Sequence, residues 1–249
     1  MRLPPEILDN ILAQISVDDA GRRTLIACAL VATWLAGPSQ RRLFSSVDIH
    51  EDNYDRWMNG VVISGTKTHL LEYVRSLSHF RRFDYRMRDL SRDSGEYFSA
   101  LCNLRRLKLY NTAIEPISEE EFRTCFSAFR GTLTRLSLDD FTTSFSSFVA
   151  LIDYFPNITS LRLRSFGLKP DEGPVPPLSR PLRGKLRIRV EPNFPEFLDR
   201  FLKLDLRYED LVISTPSPMS MATALVESAL QISTSTVKYL RLTAQLGCE

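Results

Sequence analysis

The chain has 249 residues, 43% of them hydrophobic and 25% charged, with a formal net charge of +2. That composition excludes a disordered or low-complexity chain, and the near-neutral total leaves no global field to draw it onto nucleic acid or membrane. The four cysteines (Cys28, Cys102, Cys125, Cys248) form no CxxC pair and no Cys/His metal spacing, so reduced, buried thiols in an intracellular protein are expected.

In chain order, Pro4 and Pro5 suit the first turn of a helix, where the missing N–H has no partner to lose. Apolar residues then recur at Ile7, Leu8, Ile11, Leu12 and Ile15, a helical stripe opposite Asp9, Asn10 and Gln14. Glu6, Asp9 and Asn10 interrupt the apolar run that a secretory signal would need. Val17 to Gly21 predicts a turn, with Asp18, Asp19 or Thr24 available to cap a second helix over Thr24–Leu35. That helix is apolar nearly all round and calls for cover on most faces. At 11 residues, its core run from Leu25 to Leu35 is too short to cross a bilayer, and no membrane partner is expected. Gly37-Pro38 should end it, a short third helix should run from Ser39 to Phe44, and Ser46–Ile49 reads as a strand.

Three short helices make a marginal core alone, and such a unit normally needs a partner surface. The segment resembles the F-box, through which substrate receptors dock on the Skp-type linker subunit of cullin-RING ubiquitin ligases. The resemblance is carried by Leu3-Pro4-Pro5-Glu6-Ile7-Leu8, Ile11-Leu12, Leu25, Cys28-Ala29-Leu30-Val31, Trp34 and Leu43-Phe44. It implies linker contacts at Leu3, Pro4, Ile7, Leu8, Ile11, Val31 and Trp34. The step from Val31 to Trp34 is one residue shorter than is usual in that family, which on a continuous helix rotates Trp34 by about 100°. Residues 1–48 are thus expected as an F-box-like helical module, ahead of a second unit over 49–249.

A polar stretch, Glu51 to Lys67, separates the module from a repeat. L-x-x-L-x-L recurs as Leu104-Arg-Arg-Leu107-Lys-Leu109, Leu133-Thr-Arg-Leu136-Ser-Leu138, Ile158-Thr-Ser-Leu161-Arg-Leu163, Phe201-Leu-Lys-Leu204-Asp-Leu206 and Val237-Lys-Tyr-Leu240-Arg-Leu242. Leu186-Arg-Ile188 is a degenerate copy, and Val74-Arg-Ser-Leu77 reads as the first. Intervals of 30, 29 and 25 residues separate the starts at 74, 104, 133 and 158, a leucine-rich-repeat period slightly stretched. Helix-like patterns intervene at Ser118–Phe129, Ser144–Phe155, Pro192–Leu202 and Met219–Ile232. Five prolines over 169–181 replace one such helix with an extended loop. No strand-helix unit buries its own apolar face, so the predicted fold class is α/β: the helical module followed by an irregular leucine-rich-repeat-like solenoid, parallel strands on the concave face. Past the last strand, Gln245–Glu249 is expected to fold over the exposed end unless the sequence continues. The whole resembles fungal F-box proteins with irregular leucine-rich repeats.

The residues between the inward leucines face outward. In six strands they are Arg106, Lys108, Tyr110; Arg135, Ser137, Asp139; Ser160, Arg162, Arg164; Lys185, Arg187, Arg189; Lys203, Asp205, Arg207; and Tyr239, Arg241, Thr243. Eleven of these 18 are basic and two acidic, against 21 basic and 28 acidic elsewhere. So polarised a face suits an acidic or phosphorylated protein target, gripped by arginine forks. Nucleic acid fits the charge but not the thin supply of aromatics, Tyr110 and Tyr239 alone.

No catalytic motif, metal spacing or cofactor loop appears, and no cofactor is expected. His50, His69 and His79 all precede the regular repeats and read as surface or strand-end residues. The reading is a non-catalytic target-recognition adaptor of an SCF-type ligase, joined through the linker subunit to a cullin, in cytoplasm or nucleus. A repeat scaffold unconnected to ligases, or a nucleic-acid binder, are the alternatives.

Overall fold

The computed structural model describes residues 4–63, 68–80, 98–110, 123, 126–168, 177–189, 200–201, 204, 206–215 and 237–244. Most of the expected helix at Pro192–Leu202, all of that at Met219–Ile232, most of Ser118–Phe129, most of the proline-rich loop and the terminal Gln245–Glu249 lie outside them, as do Leu3, Lys203 and Asp205.

Three helices open the described chain: α1 (Pro5–Ala13), α2 (Asp19–Val31) and α3 (Thr33–Leu43). Pro4 caps α1 and Pro5 fills its first turn, where the missing N–H costs no hydrogen bond. Both other helices pack on α3. Leu8, Leu12 and Leu25 are buried here, apart from the larger core downstream. Arg42 Nη2 donates to the Ala13 and Ile15 carbonyls at 3.2 Å, satisfying the last turn of α1, and Arg41 pairs with Asp9 at 3.0 Å.

Two boundaries differ from expectation. The second helix starts earlier, because the Asp18 carboxylate accepts from the Gly21 N–H at 2.8 Å and caps it there. It also stops earlier, at Val31, because Ala32 is extended (φ −149°, ψ 134°). Trp34 therefore belongs to a new helix, and the 100° rotation argued for a continuous one does not apply. Gly37-Pro38 lies inside α3 rather than ending α2, and no separate helix begins at Ser39. Gly37 has no Cβ to clash with the ring that follows, which removes part of the usual penalty for helical backbone before proline.

The eight described strands form one parallel sheet in chain order: β1 (Ser46–Ile49), β2 (Ser76–Phe80), β3 (Arg106–Tyr110), β4 (Arg135–Thr143), β5 (Ser160–Leu168), β6 (Leu182–Arg189), β7 (Leu206–Thr215) and β8 (Tyr239–Ala244). The first rung is thus Ser46–Ile49, not Val74–Leu77. Register carries Ser46 through Ser76, Arg106, Arg135, Ser160, Lys185 and Asp210 to Tyr239, at intervals of 30, 30, 29, 25, 25, 25 and 29 residues. A recurring hydrogen bond locks that register. The Arg75 carbonyl accepts from the N–H groups of Arg105 and Arg106, Arg105 from Thr134 and Arg135, and Thr134 from Thr159 and Ser160, at 2.9–3.1 Å.

The seventh repeat departs from its predicted register. Leu186 pairs with Leu211, so the copy in phase is Tyr208-Glu-Asp-Leu211-Val-Ile213 rather than Phe201-Leu-Lys-Leu204-Asp-Leu206. A bulge at Gly184/Lys185 shifts the pairing between its two halves. Tyr208 takes the first leucine's place and is buried. Its hydroxyl finds no partner among the described residues, and desolvation raises its pKa far above the ordinary range.

Inward positions Val47, Leu77, Leu107, Leu136, Leu161, Leu186 and Leu211 form one buried row, and Ile49, Leu109, Leu138, Leu163, Ile188 and Ile213 a second. His79, next to last in β2, occupies the second row, buried and edge-on to Tyr54; of the surface or strand-end place expected it has the strand end and not the surface. Behind the rows, a helix over Phe145–Tyr154 is capped by Ser144, whose hydroxyl accepts from the Ser147 N–H, and supplies Phe145, Phe148, Leu151 and Ile152. Phe129 stacks on Phe155 with ring centres 5.7 Å apart, and Phe148 meets Phe166 at 5.0 Å. Asp140 (φ 50°) and Ser165 (φ 47°) shift the alternation by one residue, so Phe141 and Phe166 also face inward and stack. The predicted polar stretch after β1 instead holds a short helix (Glu51–Trp57) and a π turn (Met58–Ile63). Cys28 and Cys102 are free thiols, Cys28 half-buried and Cys102 exposed where buried thiols were expected; Cys125 and Cys248 lie outside the described residues.

Gly184 has φ +95°, and a Cβ there would lie 2.2 Å from the Thr159 carbonyl oxygen. Gly184→Ala is expected to cost about 2–3 kcal/mol, read by urea unfolding, from a strained backbone and a forced shift in β5. The Asp18 carboxyl is held below its ordinary 3.8, first by the Gly21 N–H and then by the Ser16 hydroxyl. A lowered folded pKa means support that is full above the unfolded value and fades as pH falls through the folded one. Asp18→Ala should remove that acid-side loss from the α2 melting profile, followed by circular dichroism between pH 2 and 6.

Candidate functional site

Two surfaces stand out, one on the helices and one on the sheet. Six of the eight large apolar side chains exposed among the described residues lie between positions 7 and 34: Ile7, Ile11, Ile26, Leu30, Val31 and Trp34. Leu30 and Val31 are 81% and 80% exposed. The α1 stripe splits accordingly. Leu8 and Leu12 face α3 and the module's interior, while Ile7 and Ile11, offset by one residue, face solvent. Of the residues expected on a docking surface, Pro4, Ile7, Ile11, Val31 and Trp34 are exposed. Leu8 is not: it is a core residue, because the inward side of a two-sided stripe has to hold the module together. Ile26 and Leu30 join the surface without a sequence signal, since an all-round apolar helix gives no hint of which side stays open.

On the sheet, the outward side chains of β2–β6 line a groove of about 550 Å³. Its charged lining is Arg106, Lys108, Arg135, Arg162, Lys185 and Arg187, with no carboxylate; Ser76, Ser78, Ser137 and Ser160 add hydroxyls. The two lysines are partly compensated. Lys108 Nζ sits 3.5 Å from the buried Asp139 carboxylate and 3.7 Å above the Tyr110 ring, and Lys185 Nζ lies 3.3 Å from Asp210. The four arginines are not: among the described residues, the guanidiniums of Arg106, Arg135, Arg162 and Arg187 make no hydrogen bond or ion pair, and all four residues are exposed. Register places Arg106 beside Arg135 and Arg162 beside Arg187. The Ser137 hydroxyl, between them, also lacks a partner among the described residues.

The structure gathers only part of the predicted basic set. Arg164 and Arg189 pair in register one step beyond the groove. Arg207 pairs with Arg183 on the other side of the bulge, because the outward residues of β7 in phase with the groove are Asp210, Val212 and Ser214. Arg241 is in register with Val212, which separates it from the β6 cations. The corrected 18 outward positions hold nine basic and two acidic residues, eight of the basic ones on β3–β6. The serines of β2 are a further addition, because charge patterning in the sequence carries no trace of hydroxyl content.

Among the described residues, no group of three or more His, Cys, Asp or Glu side chains could hold a metal ion, and no helix is long and apolar enough to cross a membrane. The positive lining of the groove can bind an anion. Neither a family model nor a curated protein matches the chain.

Like charges on adjacent strands, about 4.8 Å apart, repel by roughly 0.9 kcal/mol per pair at the dielectric of water, and by about half a kcal/mol once ~0.1 M salt screens them. Arg162→Gln is therefore expected to stabilise the free protein by about 0.5 kcal/mol at ~0.1 M salt. The gain should vanish near 0.5 M salt, as followed by urea unfolding at both concentrations.

Proposed function

We propose that the protein is a two-faced, non-catalytic adaptor. Its N-terminal helices form an F-box-like module that docks the Skp-type linker subunit of an SCF-type cullin-RING ubiquitin ligase, and its leucine-rich-repeat-like sheet holds an acidic or phosphorylated protein target. The observation that carries this reading is the set of exposed apolar residues on α1, α2 and the start of α3. A helical cap serving only its own sheet would turn Ile7 and Ile11 onto that sheet. Here α1 packs on α3, and α3 on the Thr68–Tyr73 turn, leaving those residues in solvent. Exposed apolar side chains of this size are a liability unless a partner covers them.

The mechanism is proximity. Holding a target on the same chain as the linker raises its effective concentration near the ubiquitin-loaded enzyme without any chemistry in the adaptor itself. Cytoplasm and nucleus are where such ligases act, and the reading places the protein there.

Co-purification with a Skp-type linker subunit tests the docking half. Wild type should form a stoichiometric complex, and Ile7→Asp/Val31→Asp should weaken it about 30-fold or more, with unchanged thermal melting because both side chains are already exposed. Leu8→Asp does not serve as the test, since it would unfold the module. A wild-type chain that fails to co-purify removes the docking reading.

A further inference from the structure

We infer that the groove is built for two phosphate groups on one extended segment, held by two separate arginine clamps. This rests on the proposed target-binding role of the basic face. Arg106 and Arg135 form one clamp, side by side on β3 and β4; Arg162 and Arg187 form the other, side by side on β5 and β6. The clamps sit in different columns, two residues apart along the strands, because Arg135 stands opposite Ser160 and Arg162 opposite Ser137. With strands about 4.8 Å apart and residues about 3.3 Å apart along them, the clamp centres lie roughly 12 Å from one another at the backbone. Ser137 and Ser160 occupy the space between, and no carboxylate lines it.

The charge count selects the ligand. Each clamp offers two unpaired guanidiniums, two positive charges and ten N–H donors. A phosphate monoester, at about −1.5 to −2 with three acceptor oxygens, neutralises a clamp and engages both forks. A single carboxylate has one charge and two oxygens, so it engages one fork and leaves the other facing a like charge. Among the described residues, Asp139 and Asp210 partly compensate Lys108 and Lys185, so the groove's uncompensated charge is chiefly that of the four arginines. Two phosphate dianions match it.

Spacing then constrains the segment. An extended polyproline-II chain advances about 3.1 Å per residue with three residues per turn, so residues i and i+3 face the same way about 9 Å apart. One more residue brings the separation to about 12 Å. Two phosphoserines or phosphothreonines three or four residues apart span the clamps, with the arginine side chains taking up the difference.

The test uses the full-length protein and fluorescent degenerate peptide libraries carrying two phosphoserines at separations of one to seven residues. Libraries with one phosphoserine, or with two aspartates, serve as comparisons. Separations of three and four should bind about tenfold or more tighter than one phosphoserine. Arg106→Gln/Arg135→Gln and Arg162→Gln/Arg187→Gln should each bring the doubly phosphorylated library down to the singly phosphorylated level, with melting temperature unchanged or raised. Equal binding of singly and doubly phosphorylated libraries, or no dependence on separation, overturns the two-clamp assignment. So does equal competition by a single-stranded RNA of matched charge, which would make the groove a general polyanion surface. Aspartate libraries that bind as well as the doubly phosphorylated ones overturn the clamps while upholding an acidic target. Failure of every anionic peptide overturns both, whatever the linker experiment gives.

Discussion

One constraint shapes the whole sheet: each strand must bury one side against its neighbours' leucines while the other side meets solvent. From β1 to β5 the carbonyl entering each rung accepts two N–H groups from the next, and this fixes register so tightly that Leu77, Leu107, Leu136 and Leu161 form a continuous row. A one-residue slip in any strand would turn its leucines outward and its arginines into the core. The basic groove therefore depends on the apolar core. Arg106 lies beside Arg135, and Arg162 beside Arg187, because the leucines between them have no other place to go.

That dependence explains why like charges persist in contact range. In an ordinary solvated sheet, cations and anions on adjacent strands would pair and lower the energy. Here, among the described residues, Asp139 and Asp210 each answer a lysine, while Arg106, Arg135, Arg162 and Arg187 are left unanswered. Side-by-side guanidiniums put the sheet under electrostatic tension. The helical module follows similar logic: Leu8, Leu12 and Leu25 hold it together, and the apolar residues left over, Ile7, Ile11, Ile26 and Leu30, stay in water.

Much of this is legible in the sequence wherever a periodic signal is strong. Leu104–Leu109, Leu133–Leu138 and Ile158–Leu163 announce their strands, and Ser144 announces the helix that follows it. Legibility fails where a better letter match lies out of phase. Phe201-Leu-Lys-Leu204-Asp-Leu206 spells the repeat more faithfully than Tyr208-Glu-Asp-Leu211-Val-Ile213, yet the bulge at Gly184 selects the second. A bulge depends on pairing with a neighbour, which no single strand's sequence displays. Likewise, nothing in an all-round apolar α2 says which side is open, and Trp34's place depends on a break at Ala32 that the local residue types do not announce. His79 is hidden for a related reason: its position in the second inward row follows from pairing with Ile49 in β1 and Leu109 in β3.

The central claim is that the helical face and the groove work at the same time and independently, as an adaptor requires. Sedimentation of the chain with both a Skp-type linker subunit and a doubly phosphorylated peptide measures this directly. The account predicts a 1:1:1 complex in which saturating either ligand leaves the affinity for the other unchanged. Displacement of the linker by the peptide, or of the peptide by the linker, would contradict it.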